Sequence, residues 1–386
     1  MDKYKFNLYT KYAIISLLIL SHLVFYYFQK IFNKNNLSIY LNYINDCYNL
    51  KQYKRTIINN EIPFVSICLP CYNMQKYIES TILSIINQSF QDFEIIIIND
   101  FSNDDTLNII NNLKLKYNQK IKIINHIKNL GVYASRVDGI LNSSGKYIIL
   151  MDCDDMLFNY NLLKTLYIYN LKYNLDIIEF KNYNYIEKTK KLIENLKKNH
   201  YHNFSKKIIH KPELSDILFY NPSTKNYSSL ICTSIWTKII RKEVLIKAIN
   251  YIGTDFYKEF VITAEDTLIS LISFQFSNNY SNIEYPGYMY NIRKVSMTHG
   301  KKNIKKRILF DYSYYLYLKK LYFFIKDFDK DRNFLFYELK RFNFRLLDLR
   351  KLDKQKKLKI NQLYNTIKED KKISNIFKNY LIALLK

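Results

Sequence analysis

The chain has 386 residues, with 59 Lys+Arg against 34 Asp+Glu for a formal net charge of +25, and only 6 Gly and 5 Pro. Average usage at this length would be roughly 27 Gly and 19 Pro, so a Gly, Pro, Trp or clustered Asp carries more information here than a Lys, Asn, Ile or Tyr. A hydrophobic fraction of 48% with 16% aromatics excludes general disorder and the collagen-like and Pro/Gly-rich classes, and the length allows about two domains. Five cysteines (Cys47, Cys68, Cys71, Cys153 and Cys232) are too few and too scattered for a disulfide scaffold, and the single C-x-x-C at Cys68 and Cys71 has no partner pair for a structural zinc site.

In chain order, residues 12–28 are 17 residues without a formal charge, bracketed by Lys11 and Lys30. That length reaches the short end of a bilayer crossing, and the missing small residues near its end argue against a cleaved signal. A single-pass membrane anchor within residues 1–32 is expected, followed by a polar tether over 33–61. Apolar runs of strand length then begin near residues 64, 93, 121, 146 and 176. Helical periodicity lies between them, as in Ile78, Ile82, Ile85 and Ile86. This rhythm predicts repeated βα units around a parallel sheet covered on both faces, with ligands at the carboxyl ends of its strands. Residues 181–260 break the rhythm, and a helix is predicted over 265–277. After Gly300 neither Gly nor Pro recurs, which predicts long helices over 301–386. That segment holds 24 Lys+Arg and 9 Asp+Glu. No nucleic-acid module accompanies this charge, so a membrane partner is expected and a nucleic-acid partner is not.

The first strand runs into Pro70-Cys71-Tyr72-Asn73, where Pro70 is expected to stop the ladder and Asn73 to cap the next helix. The second runs into Asn99-Asp100. The fourth ends in Asp152-Cys153-Asp154-Asp155, three carboxylates in four residues. Like charges at the mouth of an apolar strand need a cation, and hard divalent ions such as Mg²⁺ or Mn²⁺ take oxygen ligands and bridge carboxylates to phosphates. No G-x-G-x-x-G follows a strand, and Gly139 to Gly145-Lys146 misses the P-loop spacing. An Asp-x-Asp after a strand also resembles haloacid-dehalogenase-like phosphotransferases, although Met156 stands where they usually have Thr or Val. That class, and a non-catalytic basic membrane-tethered binding protein, are the alternatives.

The series PFVSICLPCYN, IIIINDFSNDDT, NLGVYASR, SGKYIILMDCDD, IWTKIIRKEVL and AEDTLISL resembles the family 2 glycosyltransferases in order and spacing. The resemblance implies an α/β GT-A fold, Rossmann-like with a mostly parallel sheet, over residues 62–300, with 181–260 on the acceptor side. It implies sugar transfer from a nucleotide-sugar donor, a UDP-sugar first among them, to a glycan, lipid-linked or protein-linked hydroxyl, with Mn²⁺ or Mg²⁺ and inversion. Carried over by position, Pro70, Tyr72, Asn73, Asp100, Arg136, Asp152 and Arg293 would bind the donor. Asp154 and Asp152 would hold the metal, with His299 a further candidate ligand. Asp266 would be the catalytic base beside Glu265, and Trp236 would lie on the acceptor side. The family often has a second acid where Asn99 stands and a Gly at Phe101.

Overall fold

The computed structural model describes residues 62–194, 208–211, 233–293 and 304–328. The expected anchor and tether, His299 and everything after residue 328 lie outside the described residues. Among the described residues no helix is long and apolar enough to cross a membrane.

Four predicted strands form as β1 (Val65–Cys71), β2 (Phe93–Asn99), β3 (Ile121–Asn125) and β4 (Tyr147–Leu150). Helices α1 (Ile78–Ile86), α2 (Thr106–Lys116) and α3 (Val132–Asn142) connect them. These strands are mutually parallel, in the spatial order β3-β2-β1-β4. Ile95 to Ile98 of β2 are fully buried, as a continuous apolar strand covered on both faces requires. Register puts Cys71 opposite Asn99 and Asn99 opposite Asn125, so the loops after β1, β2 and β3 leave the sheet at one level.

The second half of the sheet departs from the simple repeat. After β5 (Met156–Leu157) and α4 (Leu162–Tyr173) comes β6 (Ile177–Ile186), with β7 (Lys191–Glu194) paired to it and β8 (Ile208–His210) paired to β10. A short 3-10 turn (Ile235–Thr237) leads into β9 (Lys238–Arg241), then α5 (Lys242–Ile252), α6 (Thr254–Tyr257), α7 (Glu265–Phe276), β10 (Asn279–Ile292) and α8 (Ile304–Asp327). The order continues β4-β9-β6-β10-β5, with β9 antiparallel to both its neighbours and β10 parallel to β6. The region 181–260, whose sequence carries no clear repeat, contributes the central strand β9. The sheet is mostly parallel, not wholly so.

Two expectations at the first loop are corrected. Pro70 does not end the ladder: β1 stays paired with β2 through Cys71. Asp100 N donates to Cys71 O and Met151 N to Cys68 O, so even-numbered residues here face β4, which has already ended at Leu150. The missing N–H of Pro70 therefore falls where no partner strand remains. Asn73 caps no helix, since α1 starts only at Ile78. Its φ is +55°, a left-handed turn that Asn tolerates, and its Oδ1 accepts from Asn103 N at 2.9 Å.

The core joins both halves. Gly139 of α3 lies so close to the sheet that a Cβ there would meet Cys68 Cβ at 2.9 Å, which lets the helix press on β1. Helix α8 buries Tyr314, Tyr315, Tyr317, Leu318, Leu321 and Phe324 in the same cluster as α5 and α7. Long helical structure after Gly300 is thus present to Asp327, with its apolar side turned to the core.

Candidate active site

Backbone geometry at the carboxyl edge of β1 and β2 is set by two loops that zip together. Asn73 N donates to Ser102 Oγ at 3.1 Å, Met74 N to Thr106 Oγ1 at 2.7 Å and Gln75 N to Asp104 Oδ2 at 3.2 Å, while Asp105 N donates back to Gln75 Oε1 at 2.9 Å. Pro70 and Tyr72 stand at this edge, and Tyr72 is 43% exposed. Phe101, in a left-handed conformation at φ +64°, is exposed as well.

Asp100, expected to bind the donor, has its carboxylate engaged within the protein. It is buried, and its carboxylate accepts from His126 Nδ1 at 2.7 Å, Leu130 N at 2.8 Å and Gly131 N at 2.9 Å. Three of roughly four lone-pair sites are spent inside the protein, so Asp100 holds the loop that starts α3.

That loop aims Arg136. The guanidinium is buried, with Nη1 donating to Glu265 Oε1 at 2.5 Å and Nη2 to Asp152 Oδ1 at 2.7 Å. Burial works against the charge, but Glu265 and Asp152 more than offset it and drive the Arg136 pKa up. Glu265 is pushed up to about 7 by burial, with Asp266 adding to the rise against the pull of Arg136. Asp266, half-buried at the start of α7, accepts from Thr267 N at 2.7 Å, and burial raises its pKa too. The preceding Ala264 sits at φ +64°, a conformation costing an L-residue roughly 1–2 kcal/mol. Such strain concentrates at functional sites.

The acidic run after β4 divides in two. Asp155 turns inward, taking Tyr288 Oη–H at 2.6 Å and Asn291 N at 2.7 Å, and thereby buckles β10 to this loop. Asp152 and Asp154 remain as the outward pair. Asp154 is pushed up to about 6 by burial and by the Asp152 charge, against an ion pair with Arg293 at the end of β10. The Arg293 guanidinium also lies 4.7 Å from the Tyr77 ring centre. Two repelling hard-oxygen carboxylates fit a divalent cation. No group of three His, Cys, Asp or Glu converges among the described residues, so of these residues Asp152 and Asp154 would hold the cation, in a site open to substrate and water.

Trp236 stacks on Tyr288 and Tyr290, ring centres 4.8 and 5.2 Å apart. Cys68, Cys71 and Cys153 are buried free thiols; burial raises Cys68 and Cys153, which suits packing, not reactivity. The sequence reading passed over His126, Asp138 and Tyr257. The available signal was position alone: His126 directly follows β3, at the same edge as Tyr72 and Asp100.

The mostly parallel α/β sheet, with carboxylates and a buried arginine at its carboxyl edge, agrees with the GT-A-like fold that the family resemblance implies. Residues 66–227 match the family model "Glycosyl transferase family 2". The match sets the phosphotransferase alternative aside. An uncharacterized glycosyltransferase of Haemophilus influenzae is 38% identical over 27% of this chain and 42% of its own length. The chain thus spans less than half of that relative. A cholesterol galactosyltransferase of Borreliella burgdorferi is 28% identical over 67% of this chain and 75% of its own. The crystal structure of S. aureus TarS 1–349 in complex with UDP-GlcNAc aligns with a TM-score of 0.47 and 18% identity, covering 83% of this chain and 90% of that one.

Proposed function

We propose that the protein transfers a sugar from a nucleoside-diphosphate sugar, a UDP-sugar first among them, to a hydroxyl of a glycan or lipid-linked acceptor, with inversion. The observation that carries this reading is the Arg136 bridge. One guanidinium joins Asp152, just after β4, to Glu265, beside Asp266, so two carboxylates 113 positions apart in sequence share one cation.

An acceptor hydroxyl is a weak nucleophile, so a carboxylate must take its proton as it attacks. Asp266 suits this role: it is ordered by the Thr267 amide, and its raised pKa strengthens it as a base. Tyr72 and Pro70 offer an apolar edge to the nucleotide, and Arg293 offers positive charge toward its phosphates. A Mn²⁺ or Mg²⁺ ion held by Asp152 and Asp154 would neutralise the charge that develops on the departing diphosphate. The uncharged stretch over residues 12–28 supports a membrane location through an N-terminal anchor.

The test is a donor panel with Mn²⁺. Wild type should turn over at least one nucleotide sugar, and Asp154→Ala and Asp266→Asn should each lower the rate by more than about tenfold, roughly 1.4 kcal/mol. Rates in both variants within that margin would remove these roles; no turnover of any donor would remove the enzyme.

A further inference from the structure

Beneath the proposed site, His126 lies between two carboxylates. Nδ1 donates to Asp100 Oδ1 at 2.7 Å and Nε2 to Asp138 Oδ2 at 2.9 Å, with the side chain only 7% exposed. Ionised carboxylates only accept, so both ring nitrogens carry protons and the ring is an imidazolium.

Each carboxylate holds a different arm of the site. Asp100 takes the amides of Leu130 and Gly131, immediately before α3. Gly131 sits at φ +90°, and a Cβ there would meet Val261 O at 2.9 Å, so this turn also abuts the segment that leads to Glu265 and Asp266. Asp138 accepts Tyr257 Oη–H at 2.9 Å, anchoring α6 at the start of the same segment. Arg136 stands between the two arms on α3. The charged or titratable groups facing the ring are thus Asp100 from the loop after β2, Asp138 from α3 and, through Asp138, Tyr257 from α6.

We propose that His126 is a positioning residue: as the shared cation of Asp100 and Asp138 it draws both arms together and sets Arg136 against Asp152 and Glu265. The inference rests on the glycosyl-transfer reading for its kinetic consequence but not for its geometric one. Without the imidazolium the two carboxylates repel, the Gly131 and Tyr257 anchors separate, and the guanidinium loses register with its partners. Misplacement of about 1 Å at a reacting centre can cost on the order of 100-fold in rate.

The experiment compares wild type, His126→Gln and His126→Gln/Asp138→Asn, the last removing one of the repelling charges. In His126→Gln the donor turnover number should fall by about tenfold or more with KM within about threefold, and the ¹⁵N guanidinium signals of Arg136 should shift. The double variant should recover both. In wild type the rate should fall as pH passes about 9, where His126 loses its proton, and that limb should vanish in the double variant. An unchanged rate and an unshifted Arg136 in His126→Gln, or a loss that Asp138→Asn does not relieve, would overturn the proposal. Should wild type turn over no donor, the transferase reading fails, and the Arg136 signals in the three proteins decide the positioning role alone.

Discussion

Arg136 is the residue on which the site's electrostatics turn. A buried guanidinium is tolerable only because two carboxylates share it, and those carboxylates are tolerable only because of it. Arg136→Met would leave Glu265 and Asp152 uncompensated, so urea unfolding should show a loss on the order of 3–5 kcal/mol; a loss under about 1 kcal/mol would show that water reaches the pair. At this scale the sequence was informative about identity and uninformative about partners. Asp152 and Asp154 could be singled out by their place after a strand, and Asp266 only by the family resemblance. That Asp155 faces Tyr288, that Asp100 faces Gly131, and that Arg293 meets Asp154 depends on side-chain directions that spacing does not encode.

At the scale of elements, the junction between α3 and the segment before α7 is built by close backbone approach. Gly131 serves there because its φ is positive and no space exists for a side chain beside Val261 O. Gly131→Ala should therefore destabilise by about 1–3 kcal/mol in thermal or urea unfolding and should weaken the Arg136 bridge; a variant as stable as wild type would show that the Val261 segment yields freely. The strands β1 to β4 and β6 were legible from apolar runs at regular spacing. Strands β9 and β10 were not. β9 is four residues long in a region without periodicity, and β10 carries a break in register between Ile283 and Tyr288 around Pro286 and Gly287.

Across the whole molecule, pH links the His126 cluster to folding. The ordinary His pKa of 6.5 is raised to about 9 in the folded protein, chiefly by hydrogen bonds to Asp100 and Asp138 and against burial. A raised folded-state pKa contributes stability that is complete below the unfolded value and lost as pH rises through the folded one. Denaturation midpoints should accordingly fall between about pH 6.5 and pH 9, and His126→Gln should abolish that slope; a wild-type slope that persists in the variant would place the titrating group elsewhere.

By itself the sequence determined the class of fold and the edge of the sheet at which the acidic run lies, because buried strands must be apolar and strand-end carboxylates must be tolerated for a reason. The scarcity of Gly made Gly131 and Gly139 visible before their surroundings were known. Tertiary structure alone decided which charges meet. It brought Arg136 to Glu265 across 129 positions and His126 to Asp100 across 26, and it inserted β9 into the centre of the sheet. Charges seek partners through space, and only the packed sheet and helices set those distances.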